Sequence, residues 1–280
     1  MSFLAILVLV LISFVWGSTF IVVKNAIAHI PPFLFVSLRF AIASLILIPF
    51  VIKNRFGLSD NFKKGSIAGL ALFGGYTFQT FGLLFTTASK SAFITSLAIV
   101  LVPFTGFVLF RIKPLKREIF ALVLAFIGLY QLILGPSFKF EGMNFGDVLT
   151  FFCALSFALH ISLTGHYTNK VNIETFTFYQ FVFVSLLAFV FSLTWGESFT
   201  GLGGNPLYSL LLVGVFATAF AFVGQTWAQR HIRATKTALI FSLEPVFAAI
   251  FAVIYGGEVI TKNQLVGGVL ILLGILISER

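Results

Sequence analysis

The sequence predicts an all-α polytopic membrane protein: ten transmembrane helices forming two inverted five-helix repeats, with the N- and C-termini cytoplasmic. Three observations carry that expectation. The 280 residues are 59% hydrophobic and only 10% charged, with a mean hydropathy of +1.07, whereas soluble chains carry about 25% charged residues. The apolar residues gather into ten runs with short connections. The second half of the chain repeats the pattern of the first.

The ten spans are 3–23, 33–52, 65–87, 90–110, 117–136, 147–168, 174–195, 207–229, 235–256 and 263–278. About 20 apolar residues suffice to cross a bilayer core as a helix. Strand-like alternation bounded by hairpin turns is missing, which argues against a barrel. Met1-Ser2-Phe3 offers no basic n-region, and the apolar run to Val23 exceeds a signal h-region, so the first span is read as retained.

Orientation follows from the basic residues. With the N-terminus cytoplasmic, inner loops and tail hold Lys53, Arg55, Lys63, Lys64, Arg111, Lys113, Lys116, Arg117, Lys170, Arg230, Arg233, Lys236 and Arg280. Only Lys24, Lys90, Lys139 and Lys262 fall outside, the asymmetry of the positive-inside rule. The net charge of +9 is therefore assigned to anionic headgroups and not to nucleic acid. Cys153, the single cysteine, can form neither an internal disulfide nor a metal site. No metal and no cofactor are expected.

Shifting the chain by 146 residues aligns 65–133 with 211–279 without a gap. Gln79-Thr80 falls on Gln225-Thr226, Lys90 on Lys236, Ser96-Leu97 on Ser242-Leu243, and Gly128 on Gly274. Span two fits span seven at a shift of 141, where Phe40, Ser44 and Leu45 meet Phe181, Ser185 and Leu186. Five spans per copy is an odd number, so the second copy enters the membrane from the opposite side. The repeats are 1–137 and 145–280, joined by a linker at 138–144. Such inverted repeats are the architecture of alternating-access carriers, with the site near the midplane.

Glu244 stands out within the run Lys236–Tyr255, where a carboxylate at membrane depth costs about 3 kcal/mol. Pro245 follows it and leaves the carbonyl of Phe241 without its helical partner. A broken backbone beside an ionisable group is tolerated at this depth only against protein or a watery cavity. Glu244 is read as a binding point for solute or proton, against a structural glutamate bonded to a neighbouring helix. The aligned pair in the first copy is Ala98-Ile99, and Pro103 lies one turn further on. Kinks at different depths are expected, with Pro103, Pro245, Gly74 and Gly75 as hinge candidates.

The remaining candidates each have two readings. Trp16 and Ser18 line a polar cavity or pack tightly around Gly17. Arg39 binds a solute carboxylate with its planar fork, or snorkels to the outer headgroups. Gln79 and Gln225 bind a zwitterionic solute as a pair, or bond neighbouring helices. His160 relays protons or is held by a neighbour.

Trp16-Gly17-Ser18-Thr19-Phe20, Arg39-Phe40, Ala92-Phe93-Ile94 after Lys90, and Ser242-Leu243-Glu244-Pro245 together resemble the EamA family of the drug/metabolite transporter superfamily. The Gly256-Gly257-Glu258 turn fits the same pattern, and the resemblance covers essentially the whole chain. It implies a multi-pass carrier of the bacterial inner membrane, many such carriers exporting amino acids and related metabolites, with protons as a plausible driving ion. Unlike the short four-span multidrug exporters, span one contains no acid, so any coupling carboxylate here is Glu244.

The expected function is secondary export of small polar metabolites, amino acids first among them. Partners are a small-molecule substrate, the bilayer and protons. Broad drug or cation efflux, or metabolite import, is the alternative. An intramembrane enzyme is remote: Asp60 and Asp147 lie at span ends, and no His-Glu-x-x-His occurs.

Overall fold

The computed structural model describes residues 1–53, 58–86, 88–134, 143–199, 202–256 and 261–279. The linker 138–144 and the Gly257-Glu258 turn therefore fall largely outside the described residues. Thirteen α-helices and no strands occur among those described. Eight stretches are long and apolar enough to cross a membrane. The expected span 263–278 corresponds to a shorter apolar helix, α13 (Lys262–Glu279), and the expected span 117–136 to α6 (Lys116–Leu129) with its π-helical continuation Tyr130–Leu134.

Several helix starts are held by polar side chains, as expected where orphan N–H groups need acceptors. α7 (Phe145–Tyr167) opens with a capping box: Asn144 Oδ1 accepts from Asp147 N at 2.9 Å, and Asp147 Oδ2 accepts from Asn144 N at 3.0 Å. α8 (Ile173–Thr194) opens at Asn172, whose side chain accepts from Thr175 N. At the start of α6, Glu118 Oε2 accepts from Leu115 N at 2.7 Å. Gln264 Oε1 does the same for Thr261 N at 2.9 Å at the start of α13, 146 residues later.

α2 (Pro32–Lys53) is capped from a distance. Both carboxylate oxygens of Glu197, beyond the end of α8, accept from its first turn, from Phe33 N at 3.0 Å and Leu34 N at 2.8 Å. Glu197→Ala strands both donors. A lost N-terminal cap is worth about 1 kcal/mol, so the expected outcome is a melting temperature a few degrees lower in detergent. Glu197→Gln, which keeps one acceptor, should fall between the two. An unchanged Glu197→Ala melting curve would show that water replaces the cap.

Glycine lets the helices approach closely. α6 and α13 pack reciprocally: a Cβ at Gly128 would lie 2.7 Å from Gly267 O, and one at Gly274 would lie 2.8 Å from Ala121 O. α1 (Ser2–Ile27) lies against α12 (Glu244–Gly256), where a Cβ at Gly17 would come 2.7 Å from Glu244 O. α2 packs on α8, and α3 (Leu58–Phe85) packs along α7. The outward faces carry Leu45, Phe104, Phe120, Phe220 and Leu276, all exposed, a surface suited to acyl chains.

Two expected spans are broken, one of them beside Glu244 as expected and the other away from Pro103. Span 90–110 divides into α4 (Ala88–Ser96) and α5 (Ala98–Phe110), and span 235–256 into α11 (Ala234–Phe241) and α12. Pro103 lies inside continuous α5. The breaks fall at Leu97 and at Ser242-Leu243, so Leu97 and Leu243 occupy the same position in the two copies. Their N–H groups make matching tight-turn bonds, Leu97 N to Ile94 O at 3.1 Å and Leu243 N to Ile240 O at 3.0 Å. Pro103 does not mark the break in its copy. Pro245 instead occupies the first turn of α12, where its missing N–H would be unpaired anyway. Gly74 and Gly75 lie in an unbroken stretch of α3, touching Ser156 and Phe157; here they allow close approach.

Candidate functional site

Four rings occupy the centre: Phe40 of α2, Tyr76 of α3, Phe181 of α8 and Phe222 of α10 (Ala221–Ala228). Their centroids lie 5.0 Å apart for Phe40–Tyr76, 5.6 Å for Phe40–Phe181, 6.0 Å for Phe181–Phe222 and 6.2 Å for Tyr76–Phe222. Such tilted and edge-to-face pairs hold their partners in one geometry. The polar candidates are arranged around this cluster.

Arg39 turns inward and is 4% exposed, which removes the snorkelling alternative. Nε donates to Thr218 Oγ1 at 2.6 Å, and Nη2 to Tyr76 Oη at 3.2 Å and Ala217 O at 3.1 Å. The guanidinium also lies 4.5 Å from the centroid of the Tyr76 ring. A buried cation is tolerable only with such partners. Nη1 has none among the described residues, so one edge of the fork stays available.

The acceptors come from a backbone irregularity. α9 (Asn205–Gly214) runs into a π-helical segment, Val215–Phe220, before α10. π-segments displace carbonyls from their usual partners and recur at functional sites. Here Ala217 O takes Arg39 and also Trp16 Nε1, at 2.9 Å. Thr218 Oγ1 donates to Val213 O at 2.9 Å while accepting from Arg39. Trp16 is thereby fixed between Phe222 and Phe241, at centroid distances of 5.5 and 4.9 Å.

Glu244 is the first residue of α12, not the middle of a continuous helix. A carboxylate is favoured at a helix N-terminus by the backbone dipole. It is partly accessible and has no hydrogen-bond partner among the described residues. Arg39 is close enough to act on it electrostatically. A cation with a free edge beside the rings and a carboxylate without a hydrogen-bond partner among the described residues thus lie within electrostatic reach of one another.

The other candidates divide. His160 Nε2 lies 2.7 Å from Gln180 Oε1, with Thr164 Oγ1 at 3.4 Å, so it is held by neighbours. Gln180 Nε2 is buried without a partner. Gln225 donates to Gln229 Oε1 at 3.2 Å, and its own Oε1 is buried and unpartnered. Gln79 is half-buried and has no hydrogen-bond partner among the described residues. No hydrogen bond joins Gln79 to Gln225 among the described residues. Ser18 Oγ donates to Val15 O of its own helix, which ties it locally.

Thr218 and Gln180 escaped the sequence reading. For Gln180 a signal existed: the shift of 141 that superposes Phe40 on Phe181 also superposes Arg39 on Gln180. The π-segment that makes Thr218 useful has no such signature.

A family model described as the EamA-like transporter family matches residues 3–134 and 144–279. The chain belongs to that family. It is 37% identical over 269 residues to an uncharacterized transporter of Archaeoglobus fulgidus, covering 96% of this chain and 83% of the relative. It is 26% identical over 280 residues to the uncharacterized transporter YoaV of Bacillus subtilis, covering 95% and 94%. A crystal structure superposes with a TM-score of 0.80 over 98% of this chain and 96% of the other, at 16% identity, a likeness of fold alone. Family membership and membrane-length helices together make this EamA-family chain a multi-pass integral membrane transporter.

Proposed function

We propose that the chain is a secondary transporter exporting small polar metabolites, amino acids first among them, by alternating access between two inverted halves. The observation that supports this reading is the buried cation Arg39 beside the ring cluster with Glu244 close enough to act on it electrostatically. A zwitterion presents a carboxylate to the free edge of a guanidinium and an ammonium to a carboxylate, which is the complement of that arrangement.

The inverted repeat is supported by features recurring 146 residues apart: the breaks at Leu97 and Leu243, the caps of α6 and α13, and the bonds Thr80 to Tyr76 O and Thr226 to Phe222 O. Reciprocal packing of Gly128 and Gly274 suits a two-fold axis between the copies. Broken helices near the middle of the membrane let one half rock while its ends stay anchored. We place both termini on the cytoplasmic side of a bacterial inner membrane, from the distribution of lysine and arginine.

Glu244 exchanges a proton for solute in this scheme. Reconstituted into liposomes under an imposed pH gradient, the protein should accumulate a labelled amino acid, and Glu244→Gln should abolish the response to the gradient. Equal, equally pH-dependent transport by Glu244→Gln would overturn the coupling role. Transport of lipophilic cations alone would replace metabolite export by drug efflux.

A further inference from the structure

A cavity of about 260 Å³ lies away from the ring cluster, between α5, α7 and the connection from α10 to α11. It opens at the face where the basic loops gather. Four of its lining residues, His166, Arg230, His231 and Arg233, are cations or can become so, and none is an acid. Both arginines are braced. Arg230 donates through Nε to Thr168 O at 2.9 Å and through Nη2 to Val171 O, and Arg233 donates to Lys113 O at 2.7 Å with Glu118 Oε1 3.5 Å away. In each case Nη1 has no partner among the described residues.

The inner wall adds a helix start. α11 begins at Ala234 without a side-chain cap, and Ala234 and Thr235 line the cavity. A helix N-terminus attracts anions through its N–H groups and dipole. Independently of that dipole, Thr235 is only 6% exposed and lines the cavity, and its hydroxyl has no hydrogen-bond partner among the described residues. A hydroxyl so placed can bond a group that enters the cavity.

We propose that this cavity is an anion site, taking a carboxylate or phosphate group between Thr235, the start of α11 and the two braced guanidinium groups. The group belongs either to a free solute or to a lipid headgroup. The site is distinct from Arg39 and Glu244, and its occupation is measurable without transport.

The test uses purified full-length protein in detergent. Thermal unfolding is followed against inorganic phosphate and acetate, with choline chloride matching ionic strength. Phosphate should raise the melting temperature saturably, as a ligand of the folded state does, and chloride should not. Thr235→Asp, which puts a like charge in the cavity but suits a helix start, should abolish the phosphate shift. Thr235→Val, nearly isosteric, should weaken phosphate roughly tenfold, the worth of one hydrogen bond. In nanodiscs, phosphatidylglycerol that suppresses the phosphate response relative to phosphatidylcholine would identify a headgroup as the occupant. An unchanged response would identify a free solute. A phosphate effect no larger than that of chloride, or an equal effect in folded Thr235→Asp, overturns the proposal.

Discussion

Gly128→Leu should prevent recovery of monodisperse protein, the largest stability effect expected of any single change in the helix scaffold. A Cβ at Gly128 would meet Gly267 O at 2.7 Å and Ile271 Cγ1 at 2.9 Å, and one at Gly267 would meet Gly128 O at 2.5 Å and Leu132 N at 2.6 Å. The obstructing atoms are mostly backbone, which cannot swing aside as a flexible side chain can. α6 and α13 must therefore separate along their length. Overpacking a close contact costs about 1–3 kcal/mol even where side chains can yield. Here it also destroys the small-residue packing on which membrane helices rely. Net stability is only about 5–15 kcal/mol, so a loss at or above the upper end of that range leaves little margin. Size-exclusion profile and melting temperature after detergent extraction measure it. Gly128→Ala should be milder but clearly destabilised. A Gly128→Leu protein with a wild-type profile would mean that the two helices do not cross this closely.

The glycine crossing shows what the sequence made legible. Gly128 and Gly274 stood at equivalent positions under the 146-residue shift, and composition alone required helices in a membrane. Burial of Arg39 was half legible, since an arginine within an apolar span faces either protein or headgroups. Sequence could not choose between them, because the choice depends on Ala217 O and Thr218, nearly 180 residues away in the chain and freed by a π-segment. Prolines told half of the breaks: Pro245 follows the turn at Leu243 in the first turn of α12, whereas the turn at Leu97 has no such signal and Pro103 is absorbed within α5. Packing of whole helices decides such positions, and local preference is overridden. Gln79 and Gln225 align in the repeat, but sequence equivalence alone does not say whether two residues hydrogen-bond, and no such bond joins them among the described residues.

The Arg39 network supplies the largest functional effect. Arg39→Met removes three hydrogen bonds, leaves Tyr76 Oη without its donor and Ala217 O with Trp16 alone, and deprives Glu244 of its opposing charge. A hydrogen bond to a charged group is worth about 1.5–3 kcal/mol, and each 1.4 kcal/mol is a factor of about ten. Liposome uptake of an amino acid should accordingly fall by about two orders of magnitude or more, with a lower melting temperature. Arg39→Lys keeps the charge but not the planar fork, so it should recover stability better than transport. The double substitution Arg39→Met with Glu244→Gln separates the two contributions. Removing one member of a buried charge pair is more damaging than removing both, so the double variant should melt higher than Arg39→Met alone while transport stays lost. If its melting temperature instead falls by the sum of the single changes, Arg39 and Glu244 are energetically independent. The zwitterion site would then have to be built without their opposition.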